Sequence, residues 1–136
     1  MEYFLDLVKV ARRGDLNFEE LSRYCLKTNT GIQAASNALA KHFAEAFLAS
    51  TSESEFDDCD QAMGSLFAVM TSEPFFEVTD RVIPEFAFAV YLAFDAGEYF
   101  RSGDLPNEIP YIKCTIPMLR HALGGLNAVS QETPRK

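Results

Sequence analysis

The stretch FAFAVYLAF, residues 86 to 94, decides more about the fold than any other part of the chain. Phe86, Phe88, Val90, Leu92 and Phe94 alternate as the inner face of a strand would. The positions between them are mostly alanine, however, where a strand with a solvated face would carry Thr, Lys or Glu. Alanine is the strongest helix former, and Pro84-Glu85 supplies a proline and an acid suited to a first helical turn. The segment predicts a buried central helix over about 84–101 and, with it, an all-α chain. A length of 136 residues suits one domain with a real core. The expectation is a single-domain bundle of five to seven helices over 1–129, followed by a flexible tail over 130–136.

Helical spacing recurs elsewhere. Tyr3, Phe4, Leu7, Val8 and Ala11 form one stripe, closed by the basic turn Arg12-Arg13 and Gly14, which predicts a helix over 2–13. Asn17 with Glu20 makes a capping box for a second helix reaching about Lys27, and Thr30 with Gln33 makes another for a third. The third helix has an inner stripe of Ile32, Ala35, Leu39, Phe43, Ala46 and Phe47. Gln33, Asn37, Lys41 and Glu45 give it a solvated outer face. Phe56, Cys59, Met63, Leu66, Phe67 and Met70 predict a fourth helix starting near Ser54 or Glu55. Residues 73–83 read as a turn and a short helical or irregular connector, with Pro74 suited to a first helical turn. RSGDLPNEIP is a loop, and residues 110–124 form a proline-kinked helix, or two short ones, ended by Gly124-Gly125.

The sequence offers little for catalysis. Cys25, Cys59 and Cys114 are far apart and match no metal or disulfide pattern, so they are expected to be reduced packing residues. His42 and His121 stand alone, and there is no GxSxG, HExxH or glycine-rich phosphate loop. Neither a metal nor another cofactor is expected. The N-terminus carries its bases after the apolar run, the reverse of a secretory signal, and no apolar stretch approaches the roughly 20 residues that span a bilayer. The expected location is the cytoplasm, away from the membrane.

Charge is the informative feature. Residues 51–110 hold thirteen acids against only Arg81 and Arg101, whereas residues 1–50 balance and residues 111–136 are basic. Such a field repels nucleic acid and attracts basic proteins. Glu53, Glu55, Asp57, Asp58 and Asp60 crowd into eight positions at the predicted start of the fourth helix. Acids there favour the helix dipole, but five exceed what capping needs. They form no calcium loop, because the glycine such a loop needs at its sixth position is missing. They also lack an apolar pocket or a partner that would push a pair of pKa values apart for acid–base work. A docking surface for a basic partner is therefore expected, built from these five with Asp95, Glu98, Tyr99, Asp104, Glu108 and Tyr111. Tyr99 and Tyr111 flank the polar loop as aromatic anchors. Phe75 and Phe76 are expected to fill the core.

The opening LVKVARRGDLNFEELSRYCL and the aromatic–acidic DAGEYFRSGD resemble small helical bacterial immunity proteins of the colicin D and contact-dependent inhibition type. That resemblance implies an acidic cytoplasmic inhibitor that covers the active site of a basic nuclease toxin, with carboxylates standing in for phosphates. The chain is longer than such proteins and its fifth helix is more apolar. Two other classes stay open: a helical adaptor or oligomerisation module, and a small enzyme using His121 or a cysteine.

Overall fold

The computed structural model of the chain describes residues 2–98 and 108–132, with side chains through Gly125. The described residues form seven helices: α1 (Glu2–Arg12), α2 (Phe18–Thr28), α3 (Ile32–Ala49), α4 (Glu53–Met70), α5 (Glu73–Thr79), α6 (Glu85–Ala96) and α7 (Ile116–Glu132). Among the described residues there is no strand, so the alanine argument for residues 86–94 holds. No helix among them is long and apolar enough to cross a membrane.

Helices α3, α4 and α6 pack against one another and enclose the core; α1 lies on α4, α2 on α3, and α7 on α6. Leu39, Phe43 and Phe47 of α3, Met63, Leu66 and Met70 of α4, and Val90 and Phe94 of α6 are fully buried. Phe47 sits at the meeting point, edge-on to Phe56, Phe94 and Tyr111 at 5.8, 5.6 and 5.8 Å between ring centroids. Phe75 joins the core, while Phe76 is half-buried beneath the Arg81 guanidinium, 5.7 Å from the ring.

Helix ends follow local chemistry in places and tertiary contacts in others. Asn17 caps α2 by accepting from the Glu20 amide at 2.8 Å, but the Glu20 carboxylate takes Arg23 at 3.0 Å instead of closing a capping box. The predicted box at Thr30 does not form. Gly31 occupies the cap position of α3 without a side-chain bond, and Thr30 points its hydroxyl back to the Thr28 carbonyl at 3.4 Å. Ser52 caps α4 by accepting from the Glu55 amide at 3.2 Å, which starts that helix at Glu53, slightly earlier than expected.

Asn37 is not a solvated residue. Its Oδ1 accepts from the Ala87 amide at 3.1 Å, so α3 caps the first turn of α6, whose own cap position is held by Pro84. Lys41 and Glu45 do form the expected exposed pair, at 3.9 Å.

Helix α6 ends at Ala96, short of the expected 101, and Gly97 follows it. The C-terminal segment is one helix rather than two. Residues Tyr111–Thr115 make a π turn in which the Ile116 amide reaches the Tyr111 carbonyl. The wide turn precedes Pro117, which lacks an amide proton and whose ring would crowd the carbonyl four residues back. The helix then runs through Gly124-Gly125 to Glu132, overriding the predicted stop. Of the expected tail, 130–132 are therefore helical, and 133–136 lie outside the described residues.

Candidate functional site: an acidic cleft at the end of the α4–α6 pair

The five clustered acids of α4 do not share one face. Successive helical residues turn by about 100°, so the run divides into two groups. Glu55 and Asp58 face α1. There Arg12 donates from both terminal nitrogens to Glu55, at 2.9 Å each, and approaches Asp58 at 3.6 Å. The Arg12 guanidinium also lies over the Phe43 ring at 5.6 Å. Hydrogen bonding to Arg12 holds the Glu55 carboxyl below its usual range, against the opposing effect of burial. These two acids bind α1 to α4, and Gln61 adds a bond from Nε2 to the Arg12 carbonyl at 2.8 Å. Both acids thus have a cation of the chain's own beside them, Glu55 more closely than Asp58.

Glu53, Asp57 and Asp60 face the other way. They line an open cleft of about 490 Å³ together with Phe56, Gly97, Glu98, Ile109, Pro110 and Tyr111. Its floor is apolar: Phe56 and Tyr111 stack with centroids 5.0 Å apart and planes 20° from parallel. Gly97 is what lets the chain pass this point. A Cβ there would run into the Thr115 hydroxyl, come within 2.9 Å of the Phe56 ring and within 3.0 Å of the Tyr111 Cα.

Asp60 is the electrostatic centre of the cleft. Burial, a hydrogen bond to the Glu98 carboxyl, and the charges of Glu98, Asp95 and Asp57 push its pKa up to about 7. Two carboxyl groups can share a hydrogen bond only when one carries a proton, so the pair holds a proton well above the pH at which an ordinary aspartate loses it. Among the described residues no basic side chain lines the cleft to neutralise it. The sequence-based expectation that these acids have no partner able to shift a pKa is thus overturned. The partner, Glu98, comes from just past the end of α6.

Of the remaining expected site residues, Tyr111 lies in the cleft floor and Asp95 adds its charge from α6. Glu108 is turned to Lys113, 3.1 Å away, beside a separate small hollow formed with Ile109 and Ile112. Tyr99 and Asp104 lie outside the described residues. Sequence reasoning missed Phe56, Gly97, Ile109 and Pro110. Phe56 was legible only as a core residue, and Gly97 fell inside the helix expected over 84–101 with no role of its own.

The other titratable groups stand apart from this cleft. Cys59 is buried and its thiol is pushed up to about 12, mainly by burial. Cys25 is half-buried and burial raises its pKa too, which in both cases disfavours the nucleophilic thiolate. None of the three cysteines forms a disulfide. His42 is half-buried rather than on the surface, edge-on to Phe4 at 5.8 Å and Phe43 at 5.2 Å, and burial followed by the Arg12 charge lowers its pKa. His121 is exposed on an apolar hollow lined by Ala89, Leu92, Pro117, Met118 and Ala122, with no acid among them. Among the described residues no group of three His, Cys, Asp or Glu side chains is arranged to hold a metal.

No protein-family model, no curated protein and no solved structure matches the chain.

Proposed function

We propose that the protein acts by stoichiometric binding of a basic protein, with the acidic cleft receiving the partner's cationic side chains. The observation that carries this is the contrast between the two acid groups of α4. Glu55 and Asp58 have an internal cation in Arg12, whereas Asp57, Asp60 and Glu98 crowd together in a cleft that no cation lines among the described residues. Such a cluster is self-repulsive, and either a proton or an incoming cation relieves it. A guanidinium or ammonium set over the Phe56–Tyr111 floor meets carboxylates on one side and an aromatic surface on the other. The resemblance to toxin-immunity proteins makes a nuclease toxin domain the partner class of choice.

The test is capture at low salt from the cells that make the protein, using the wild type and an Asp57→Asn/Asp60→Asn/Glu98→Gln variant. A basic protein held by the wild type, released by salt and absent with the variant is the expected result. Capture that ignores both salt and these substitutions removes the cleft from the account. The control is Asp58→Asn, whose charge faces Arg12 and whose loss should leave capture intact.

One observation favours a second reading. An aspartate titrating near neutrality beside a second carboxyl is an arrangement suited to general acid catalysis. Among the described residues the cleft lining offers it no serine, cysteine, histidine or lysine as a partner, which ranks an enzyme below a binding protein.

A further inference from the structure

The acidic cleft is one end of a longer seam. On α4, Asp57, Asp60, Gly64 and Phe67 follow steps of three and four, as do Phe88, Tyr91, Asp95 and Glu98 along α6 and just past its end. Two juxtapositions place these stripes side by side and antiparallel. At one end Asp60 and Glu98 line the same cleft; at the other Phe67 stacks on Tyr91, centroids 4.1 Å apart and planes within 6°. Phe88 adds a third near-parallel ring, 6.0 Å from Phe67 and 6.4 Å from Tyr91. All three rings are half-buried, so the ladder is not sealed inside the fold.

Gly64 stands between the carboxylates and the rings, exposed, in the middle of an 18-residue helix. Glycine there weakens the helix relative to alanine. The fold gives no reason for it: its φ is not positive, and an added Cβ would meet nothing within 4 Å. Its bare, exposed backbone would let another chain approach α4 closely.

We infer that the α4–α6 seam, from Asp60 past Gly64 to the Phe67–Tyr91–Phe88 ladder, is the line along which an arginine-bearing segment of the basic partner lies. This rests on the binding function proposed above and specifies the partner's chemistry. Charge complementarity selects a cationic occupant. The crowded carboxyls select arginine over lysine, because a planar guanidinium takes two carboxylate oxygens at once and its weakly hydrated fork tolerates the apolar edge of the ladder, whereas an ammonium does neither as well. Asp60 and Phe67 are about 10 Å apart along α4 at 1.5 Å per residue, which matches arginines two turns apart on a docked helix.

The experiment measures binding of two synthetic helical peptides, identical except that one carries arginines and the other lysines at positions seven apart. The wild type should bind the arginine peptide roughly tenfold more tightly. Gly64→Trp, which fills the seam without altering charge, should remove that preference and weaken the arginine peptide about tenfold. Gly64→Leu, a smaller obstruction, should do the same to a lesser degree. Gly64→Ala should raise the melting temperature, and unchanged circular dichroism for Gly64→Trp and Gly64→Leu shows that the loss is not unfolding. Equal affinity for both peptides, with Gly64→Trp inert and Asp57→Asn/Asp60→Asn still weakening both, overturns the seam while leaving the cleft as a cation site. Binding that ignores the Asp57 and Asp60 substitutions and salt overturns the cleft itself.

Discussion

At the scale of single residues, two carboxylates of one helix behave oppositely because Asp60 is buried among other carboxyl groups whereas Glu55 is hydrogen-bonded to Arg12. Asp60 has a folded-state pKa raised to about 7 from an ordinary value of 3.8. The folded protein therefore binds more protons than the unfolded chain between those values, and stability contributed by the protonated pair is lost as pH rises toward 7. Asp60→Asn should remove that decline, flattening chemical-denaturation midpoints between pH 4 and 8 and raising stability at pH 8. A wild-type midpoint that does not fall over this range would contradict the shared proton. Glu55 runs the other way. Its pKa is lowered by Arg12, so its contribution is present at neutral pH and lost as pH falls through the folded value, below the ordinary 4.5. Arg12→Ala should destabilise by about 1.5–3 kcal/mol, because it leaves two bonded, partly buried carboxylate oxygens without their charged donor. Urea unfolding at pH 7 measures it, and a change under about 0.5 kcal/mol would mean that water replaces the guanidinium freely.

At the scale of elements, glycines separate into those the packing needs and those it does not. Gly97 has an ordinary φ of −87°, so its requirement is steric: the π turn and Phe56 come too close for a methyl group. Gly97→Ala should cost about 1–3 kcal/mol by forcing α6 away from the C-terminal helix, and it should disturb the cleft floor as well. Gly124 and Gly125 lie inside α7, where an added Cβ meets nothing within 4 Å among the described residues. Alanine at either should stabilise by roughly 0.5–1 kcal/mol. Thermal melts of the three variants provide the comparison, and the same sign for all three would refute it. The Gly-Gly pair also shows why a stop signal in the sequence failed. Glycine permits a helix end without compelling one, and α7 keeps its contacts with α6.

At the scale of the whole molecule, α3 is the pillar, touching α2, α4, α6 and α7. Phe47→Ala should cost about 3–5 kcal/mol, since a fully buried ring with three aromatic neighbours leaves a cavity they cannot close. Amides of α3 around Phe43 and Phe47 should exchange with deuterium only on global unfolding. Faster exchange there than in α1 would place the stable core elsewhere. The sequence by itself determined the helical class, the inner stripes and the charge excess of residues 51–110, because periodicity, alanine content and net charge are local or additive properties. It also placed Asn17 as a cap, since that bond spans only three residues. Only the tertiary structure decided which acids are paired and which are crowded. Arg12 reaches Glu55 across 43 positions and Glu98 meets Asp60 from just past the end of α6, and the sign of a carboxylate's pKa shift depends on burial and on such distant neighbours. Asn37 as the cap of α6, Gly97 as a packing necessity and the α4–α6 seam belong to the same class. Each exists only once the helices lie side by side, and no spacing along the chain encodes which faces will meet.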